Sequence, residues 1–256
     1  MARAKRHFIP GQLWHITHRC HKREFLLKFA RDRRRWLHWL YEAKRRYNLA
    51  ILNYMVTSNH IHLVVIDGSD RSVIPRSIQL VAGRTGQEYN QRKGRKGAFW
   101  EDRYHSTVVE RGEHLLRCIV YLDLNMVRAG VVKHPSEWSF CGYKEIRNPR
   151  RRCALIAYER LREVAGFTTY DEFHVAHRGW IEESLTDDCN SRDEKWSASI
   201  AVGSERFVEK IKTELGIRGK GRKVIEAGSA YQLREPEVSY EADLGPKNND
   251  IGVRNG

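Results

Sequence analysis

The chain of 256 residues is long enough for one large domain, or for one ordinary domain with a smaller appendage. Hydrophobic residues make up 41% of it and charged residues 30%, with only 6 Pro, which excludes a wholly disordered, collagen-like or low-complexity protein. The formal net charge of +14 predicts a polyanionic partner. No run approaches the ~20 apolar residues of a membrane span, and the first residues lack the apolar core of a secretory signal. We therefore expect a soluble, cytoplasmic protein.

The basic charge is concentrated in the first part of the chain. Residues 1–152 contain 31 basic and 13 acidic side chains, whereas residues 153–256 contain 15 and 19. The two parts are therefore expected to have different roles, and the polyanion is expected to bind the first. The five cysteines include no Cys-x-x-Cys pair, which argues against a thiolate zinc site and against a disulfide framework.

Short strands and amphipathic helices alternate along the first half of the chain. Residues 13–19 are aromatic and β-branched, and they predict a first strand. A helix with a very basic outer face is predicted over residues 29–47, where apolar residues recur at helical spacing. Residues 50–56 and 60–66 are apolar runs separated by three residues, a spacing typical of two antiparallel strands in a tight hairpin.

A second helix, a fourth strand and a third helix follow. The second helix is predicted after Ser72 and fades near Tyr89. The fourth strand is predicted over residues 104–109, and an apolar helix over residues 113–128 ends before Gly130. The order βαββαβα predicts an α+β fold with a ferredoxin-like antiparallel sheet, helices on one face and one additional helix.

Beyond the third helix the sequence changes in character. A basic run at residues 147–152 predicts a hinge, which places the end of the first domain near residue 150. A small helical accessory region is predicted over residues 151–217, with a last helix that begins at Ser204. Residues 218–256 show no apolar period and are predicted to form a flexible tail.

Two histidines in the third strand are candidate metal ligands. Alternate side chains of a strand point to the same face, so His60 and His62 project together while Ile61 points to the other face. Two neighbouring imidazoles on a rigid strand suit a divalent cation. The alternative is that they are polar residues on a solvated face of the sheet, and an isolated His-x-His pattern does not distinguish the two.

The third helix carries a second candidate group. Tyr121 and Asn125 are four residues apart and share one face of the helix with Arg117 and Arg128, which favours an anionic partner. An opposing apolar stripe would dock the helix on the sheet, and it consists of Leu116, Ile119, Val120, Leu124 and Val127. The alternative is that Tyr121 is a partly buried aromatic residue and Asn125 an ordinary surface amide.

Four blocks of the sequence resemble, in the same order, those of the REP-associated tyrosine transposases, a branch of the single-tyrosine HUH transposases of bacteria. The blocks are WHITHR at 14–19, YMVTSNHIHLVV at 54–65, GAFWEDRYHS at 97–106 and YLDLNMVRAG at 121–130. The resemblance covers the chain up to about residue 145. An ordered set of blocks is much more specific than any one motif.

The resemblance implies roles for individual residues. His60 and His62 would bind a divalent metal, Mg or Mn, with Asn125 as a third protein ligand, and Tyr121 would be the nucleophile. The implied activity is metal-dependent nicking and joining of single-stranded DNA through a 5′-phosphotyrosine. Hairpin-forming repeat DNA would be the substrate, and the enzyme would act as a monomer or a homodimer.

Two departures from the family pattern keep a second function open. Met126 stands where the family usually has proline, and the acidic Glu101 and Asp102 stand where an uncharged pair is commoner. The alternative is therefore a domesticated protein that binds structured nucleic acid without cleaving it. A plasmid-type replication initiator is a third possibility, against which the ordered blocks argue.

Basic and aromatic side chains are the candidates for DNA contacts. The basic candidates are Arg3, Lys5, Arg6, Arg19, Arg95, Lys96, Arg103, Arg117 and Arg128. The candidates for stacking on unpaired bases, with core packing as the alternative, are Trp14, Phe99, Trp100 and Tyr104. His15, His18 and His21 have no carboxylate or thiolate neighbours, so they are predicted to be structural or surface residues.

Overall fold

A computed structural model describes residues 8–68, 70–186 and 193–235. In the first half of the chain, the predicted strands and helices are present in the predicted order. They are β1 (Leu13–Arg19), α1 (Ala30–Tyr47), β2 (Ala50–Val56), β3 (His60–Ile66), α2 (Val73–Lys93), β4 (His105–Val109) and α3 (Glu113–Asp123). Within the described ranges, no helix has the length and apolar character needed to cross a membrane.

The first four strands form the antiparallel sheet that the sequence predicts. Their order is β2-β3-β1-β4, as in a ferredoxin-like fold, so the predicted α+β fold class is confirmed. The pairing puts Thr17 of β1 opposite His62 of β3. His15 lies opposite Val64 of β3 and Thr107 of β4. Because side chains alternate along a strand, His15, Thr17, His62 and Thr107 share one face of the sheet.

Different helices cover the two faces of this sheet. On one face, α1 packs against α2, and His18 stacks on Trp100, whose Nε1 donates a hydrogen bond to the carbonyl of Ala82 in α2. On the opposite face, α3 lies against β2 and β4. Tyr121 of α3 reaches the ring of His15 there. The candidate nucleophile and the candidate metal pair are thus on the same face.

The rest of the chain extends the sheet and adds helices. Its elements are α4 (Asn125–Arg128), α5 (Tyr143–Arg147), α6 (Tyr158–Ala165), α7 (Tyr170–Thr186), α8 (Lys195–Ala198), β5 (Ala201–Gly203), α9 (Glu205–Glu214), β6 (Lys223–Ala227) and β7 (Ala230–Arg234). β5 pairs in parallel with β4, and β7 joins β5 to β6. The sheet therefore has seven strands in the order β2-β3-β1-β4-β5-β7-β6.

These added strands correct two expectations. The region over 151–217 is not wholly helical, because it contains β5, and the flexible tail expected from residue 218 is wrong for the two strands within residues 223–234. β6 and β7 have five residues each and are joined through Gly228, whose φ is 62°. Strands this short, within Gly- and Lys-rich surroundings, give a weak periodic signal. The domain limits near 150 and 217 stay predictions, and residues 236–256 of the expected tail lie outside the described residues.

The helix predicted over residues 113–128 is interrupted. Leu124 has φ −84° and ψ 2°, so α3 ends at Asp123 and the short α4 follows. The predicted apolar stripe is partly wrong, because Leu116, Val120 and Val127 are only half-buried, while the fully buried side chains include Leu115, Cys118 and Leu122. The buried side chains do not form a single stripe, because α3 is covered by the sheet and also by α7.

A buried polar network fixes the end of α3. Asp123 accepts a hydrogen bond from Nδ2 of Asn53 in β2 at 3.0 Å and lies 2.8 Å from Nε2 of His177 in α7. All three side chains are fully buried. Because a buried carboxylate needs such partners, the network ties α3 to the sheet and to the accessory region.

We predict that Asp123→Ala lowers the free energy of unfolding by about 3–5 kcal/mol, because it leaves Asn53 and His177 buried without their shared partner. Urea unfolding followed by circular dichroism measures this loss. The control Glu113→Ala removes the exposed carboxylate that pairs with Arg117 and should cost less than ~1 kcal/mol. Equal losses in the two variants would contradict this role of Asp123.

Candidate active site and metal centre

His60 and His62 point to the same side of β3, with ring centroids 4.9 Å apart. Nδ1 of His60 lies 2.7 Å from Oδ1 of Asn59 and 2.9 Å from Oγ1 of Thr57. An amide oxygen only accepts hydrogen bonds, so Nδ1 of His60 donates. In the neutral imidazole, Nε2 then carries the lone pair, which is the form that binds a metal.

A second histidine orients His62. Nδ1 of His62 lies 2.9 Å from Nε2 of His15, and the two rings are nearly parallel with centroids 5.1 Å apart. Nε2 of His62 lies 3.3 Å from Nδ2 of Asn125. These two neighbours of His62, His15 and Asn125, belong to β1 and α4. His15, predicted to be a structural or surface residue, instead lies against the candidate metal pair.

His15 is fully buried. Burial lowers its pKa to about 3, while the hydrogen bond to the carbonyl of Trp196 acts in the opposite direction and the charge of His105 lowers the pKa further. His15 is therefore a neutral imidazole near neutral pH. A signal for its position was present in the sequence, because strand alternation in β1 puts His15 and Thr17 on one face, and Thr17 pairs with His62.

Tyr121 packs directly against these histidines. Its ring centroid lies 5.9 Å from that of His62 and 6.3 Å from that of His15. The guanidinium of Arg128 lies 4.4 Å from the centre of the Tyr121 ring and also donates a hydrogen bond to the Tyr121 carbonyl. Tyr121 is only 5% exposed. The structure thus brings the phenol, the His60–His62 pair and the amide of Asn125 together.

The histidine pair and Tyr121 open onto two different depressions of the surface. Each depression combines a candidate site group with predicted DNA-binding arginines. The first has a volume of about 240 Å³, and its lining includes Arg19, His60, His62, Arg103 and His105. The second has a volume of about 280 Å³, and its lining includes Arg117, Tyr121, Arg128, Lys195 and Trp196. The arginines near the site are therefore divided between the metal pair and the tyrosine.

The other predicted DNA-binding residues are elsewhere. Arg95 follows α2 and donates a hydrogen bond to the carbonyl of Ala98 at 2.8 Å, and its neighbour Lys96 is exposed. Neither residue lines the two depressions. Arg3, Lys5 and Arg6 lie outside the described residues. The assignment of these side chains to DNA contacts stays a prediction.

Most of the aromatic residues considered for base stacking belong to the core. The buried ones are Trp14, Phe99 and Tyr104. Trp100 is half-buried. In contrast, Phe25 and Phe29, which were not among the predicted stacking residues, are 65% and 56% exposed. Nζ of Lys93 lies 5.6 Å from the centre of the Phe29 ring, so one of these exposed rings adjoins a basic side chain.

The contribution of α8 to the site could not be predicted from the sequence. The carbonyl oxygen of Trp196 lies 2.7 Å from Nδ1 of His15, and the Trp196 ring lies 6.2 Å from that of Tyr121. Ser197 lines the depression of the histidine pair. His15 and Trp196 are 181 positions apart, and a helix of four residues has no pattern that would indicate such a contact.

The donor set suits a divalent cation. In the part of the chain that the structure describes, no group of three or more His, Cys, Asp or Glu side chains could hold a metal ion. His60, His62 and Asn125 instead offer two imidazole nitrogens and an amide, whose oxygen can also bind a cation. The two imidazole nitrogens favour Mn, whereas the amide oxygen also suits Mg. These residues therefore fit the metal that the family resemblance implies.

Comparison with protein families gives an independent result. Residues 11–122 match the family model described as Transposase IS200 like. The match covers less than half of the chain. It includes His60, His62 and Tyr121 and ends before Asn125. This part of the chain is thus similar to IS200-like transposases, in agreement with the broader resemblance to transposases in its sequence blocks.

Two solved structures are similar to the chain. One is a REP-associated tyrosine transposase bound to a REP hairpin, with 21% identity over 60% of this chain and 90% of that chain, and a TM-score of 0.46. The other is a putative transposase from Deinococcus radiodurans R1, with 14% identity over 46% of this chain and 92% of that chain, and a TM-score of 0.33. Among curated proteins, none matches the chain.

Proposed function

We propose that the protein nicks and rejoins single-stranded DNA with Tyr121 as the nucleophile, a proposal that the match of residues 11–122 to the IS200-like transposase model supports. A divalent metal would assist at His60, His62 and Asn125. One observation carries the proposal: the Tyr121 ring lies against that of His62, whose Nε2 is 3.3 Å from the amide of Asn125. A phenol beside a set of metal-ligand donors matches the needs of phosphoryl transfer.

His60, His62 and Asn125 would hold the metal. Mg or Mn would neutralise charge on the phosphoryl oxygens of the DNA and so favour attack at phosphorus. Two neutral imidazoles and an uncharged amide add no negative charge of their own. The protein ligands therefore do not repel the DNA phosphate, which carries a full negative charge.

Tyr121 would form the covalent intermediate. Its oxygen attacks the phosphorus, the bond to the 3′-oxygen breaks, and the products are a 5′-phosphotyrosine and a strand with a 3′-hydroxyl. The phenol proton goes to water, and the leaving 3′-oxygen takes up a proton. One phosphodiester replaces another, so attack by a 3′-hydroxyl rejoins the strands without ATP. The guanidinium of Arg128 lies against the Tyr121 ring and adds positive charge next to the attacking residue.

Hairpin-forming repeat DNA is the substrate that the family resemblance favours. Arg19 and Arg103 would bind phosphates beside the metal pair, because they line the same depression. Arg117 and Lys195 would do so beside Tyr121. The proposed site has one tyrosine, so paired cleavages require two subunits or two successive rounds. Such a substrate would place the protein at the nucleoid.

Binding of structured DNA without cleavage is the second candidate function. The 5% exposure of Tyr121 favours it, since a side chain packed against Trp196 and Arg128 is poorly accessible to a DNA phosphate. The two candidates share the basic surface and differ only in whether a covalent bond forms.

We predict that the protein, incubated with hairpin-bearing single-stranded DNA and Mn²⁺, forms a covalent adduct that Tyr121→Phe does not form. The substitution removes the attacking oxygen and keeps the ring. Denaturing electrophoresis of labelled DNA detects the adduct. Tyr143→Phe changes a tyrosine that is also 5% exposed and should leave the adduct intact. DNA binding by the wild type without any adduct would favour the second candidate.

His60→Ala and His62→Ala are each predicted to weaken Mn²⁺ binding at least about tenfold, because each removes one imidazole ligand. Electron paramagnetic resonance of free Mn²⁺, recorded without DNA, measures the affinity. His38→Ala at an exposed histidine of α1 is the control and should bind Mn²⁺ as the wild type does. Unchanged affinity in both site variants would exclude this metal site.

The double substitution Phe25→Ala and Phe29→Ala is predicted to weaken binding of a single-stranded oligonucleotide by about 1–3 kcal/mol for each base that stacks. Fluorescence anisotropy at fixed salt concentration measures the change. Val175→Ala removes another exposed apolar side chain, 60% exposed on α7, and should have no effect. Equal affinity of the double variant and the wild type would show that these rings do not contact DNA.

A further inference from the structure

A chain of hydrogen bonds joins the candidate metal pair to a segment that the family match does not include. Nδ1 of His62 lies 2.9 Å from Nε2 of His15, and Nδ1 of His15 lies 2.7 Å from the carbonyl oxygen of Trp196. His62 and His15 belong to the matched residues 11–122, whereas Trp196 lies far beyond them. The accessory region thus contacts the metal site through a backbone carbonyl group. Any residue at position 196 could supply this carbonyl.

The carbonyl of Trp196 determines which ring nitrogen carries the hydrogen in both His15 and His62. A carbonyl oxygen only accepts, so Nδ1 of His15 carries the hydrogen. A neutral imidazole has one N–H group, so Nε2 of His15 accepts, and Nδ1 of His62 must donate to it. Nε2 of His62 is then the nitrogen with the lone pair. It is also the nitrogen that lies 3.3 Å from the amide of Asn125.

The carbonyl of Trp196, which is the last acceptor in this series of hydrogen bonds, is held in place. Oγ1 of Thr107 in β4 lies 3.3 Å from the carbonyl oxygen of Trp196 and 2.7 Å from that of Ser199. The parallel pairing of β4 with β5, which follows α8 directly, begins where Val108 meets Ala201. The backbone that carries the carbonyl is therefore bound to the same sheet as the metal pair.

The two rings are also fixed relative to one another. The planes of His15 and His62 are inclined by only 11°, and His15 is fully buried between the sheet and the elements that cover it. Rotation of either ring would break the hydrogen bond between His15 and His62. The geometry therefore fixes the ring orientation of His62 as well as the position of its proton.

We propose that His15 is a positioning residue, which holds His62 in the Nδ1–H form with its Nε2 ready for the metal, and that the carbonyl of Trp196 fixes His15. The proposal rests on the proposed function for the identity of the metal site. It gives the accessory region a role in metal binding that residues 11–122 alone do not have. Partners of this kind typically change metal affinity by about 10–100-fold when they are lost.

The test uses the full chain with His15→Phe, which keeps a planar ring and removes both hydrogen bonds. Nitrogen NMR of the metal-free, ¹⁵N-histidine-labelled protein reports the tautomer of His62, assigned by comparison with His62→Ala. Paramagnetic resonance reports Mn²⁺ affinity without DNA. His174→Phe is the matched control, because Nε2 of His174 also bonds to a backbone carbonyl, that of Arg147 at 2.9 Å.

We expect a single Nδ1–H form of His62 in the wild type and in His174→Phe. His15→Phe should show a mixture of the two forms and bind Mn²⁺ about 10–100-fold more weakly. His15→Gln keeps an amide oxygen that can accept from His62, so its affinity should lie closer to that of the wild type. A role in packing alone would give the opposite order, with phenylalanine the better replacement.

Three results would overturn the proposal: the Nε2–H form of His62 in the wild type, an unchanged tautomer in His15→Phe, or wild-type Mn²⁺ affinity in that variant. Should His15→Phe fail to fold, the proposal is decided by the tautomer of His62 in the wild-type spectrum and by the Mn²⁺ affinity of His15→Gln. A wild type that binds no Mn²⁺ would refute the metal site of the proposed function. The spectrum of the metal-free protein would still show whether His15 sets the tautomer of His62.

Discussion

β1 and β3 pair so that Thr17 lies opposite His62, and His15 lies opposite Val64. His15 and His62 are then diagonal neighbours on one face, close enough for a hydrogen bond between their rings. A shift of this pairing by one residue would turn His62 towards the face that α2 covers. The apolar side chains of β3 on that face, which are Ile61, Leu63 and Val65, oppose such a shift, because it would remove them from the core beneath α2. The contacts of His62 with Tyr121 and Asn125 depend on the same register.

The parts of this arrangement that could be predicted from the sequence have local determinants. Strand alternation alone places His60 and His62 on one face, and the bounds of β2 and β3 follow from apolar runs around a short turn. The spacing of Tyr121 and Asn125 was less informative, because the helix breaks between them. Contacts between distant residues could not be predicted, since α8 has four residues and β5 only three, too few for a periodic pattern.

Many basic side chains of the first domain contribute to its packing. The guanidinium of Arg33 lies 4.6 Å from the Trp138 ring and 4.5 Å from the Phe140 ring. Arg35 forms two hydrogen bonds of 2.8 Å with the carboxylate of Glu88. The net charge of this domain therefore overstates how many phosphates it can bind. Total charge governs the approach of DNA, whereas the side chains around the two depressions govern where it is bound.

The parallel pairing of Val108 with Ala201 has a consequence for how this gene can evolve. A strand at the edge of a sheet has unpaired backbone groups that can pair with other chains. In this protein β5 covers that edge of β4. A gene shortened to the family-like part would encode a protein in which this edge of β4 is uncovered. Recombination that exchanged the downstream part for unrelated sequence would have the same effect. The two parts are therefore expected to be inherited together rather than exchanged as independent modules.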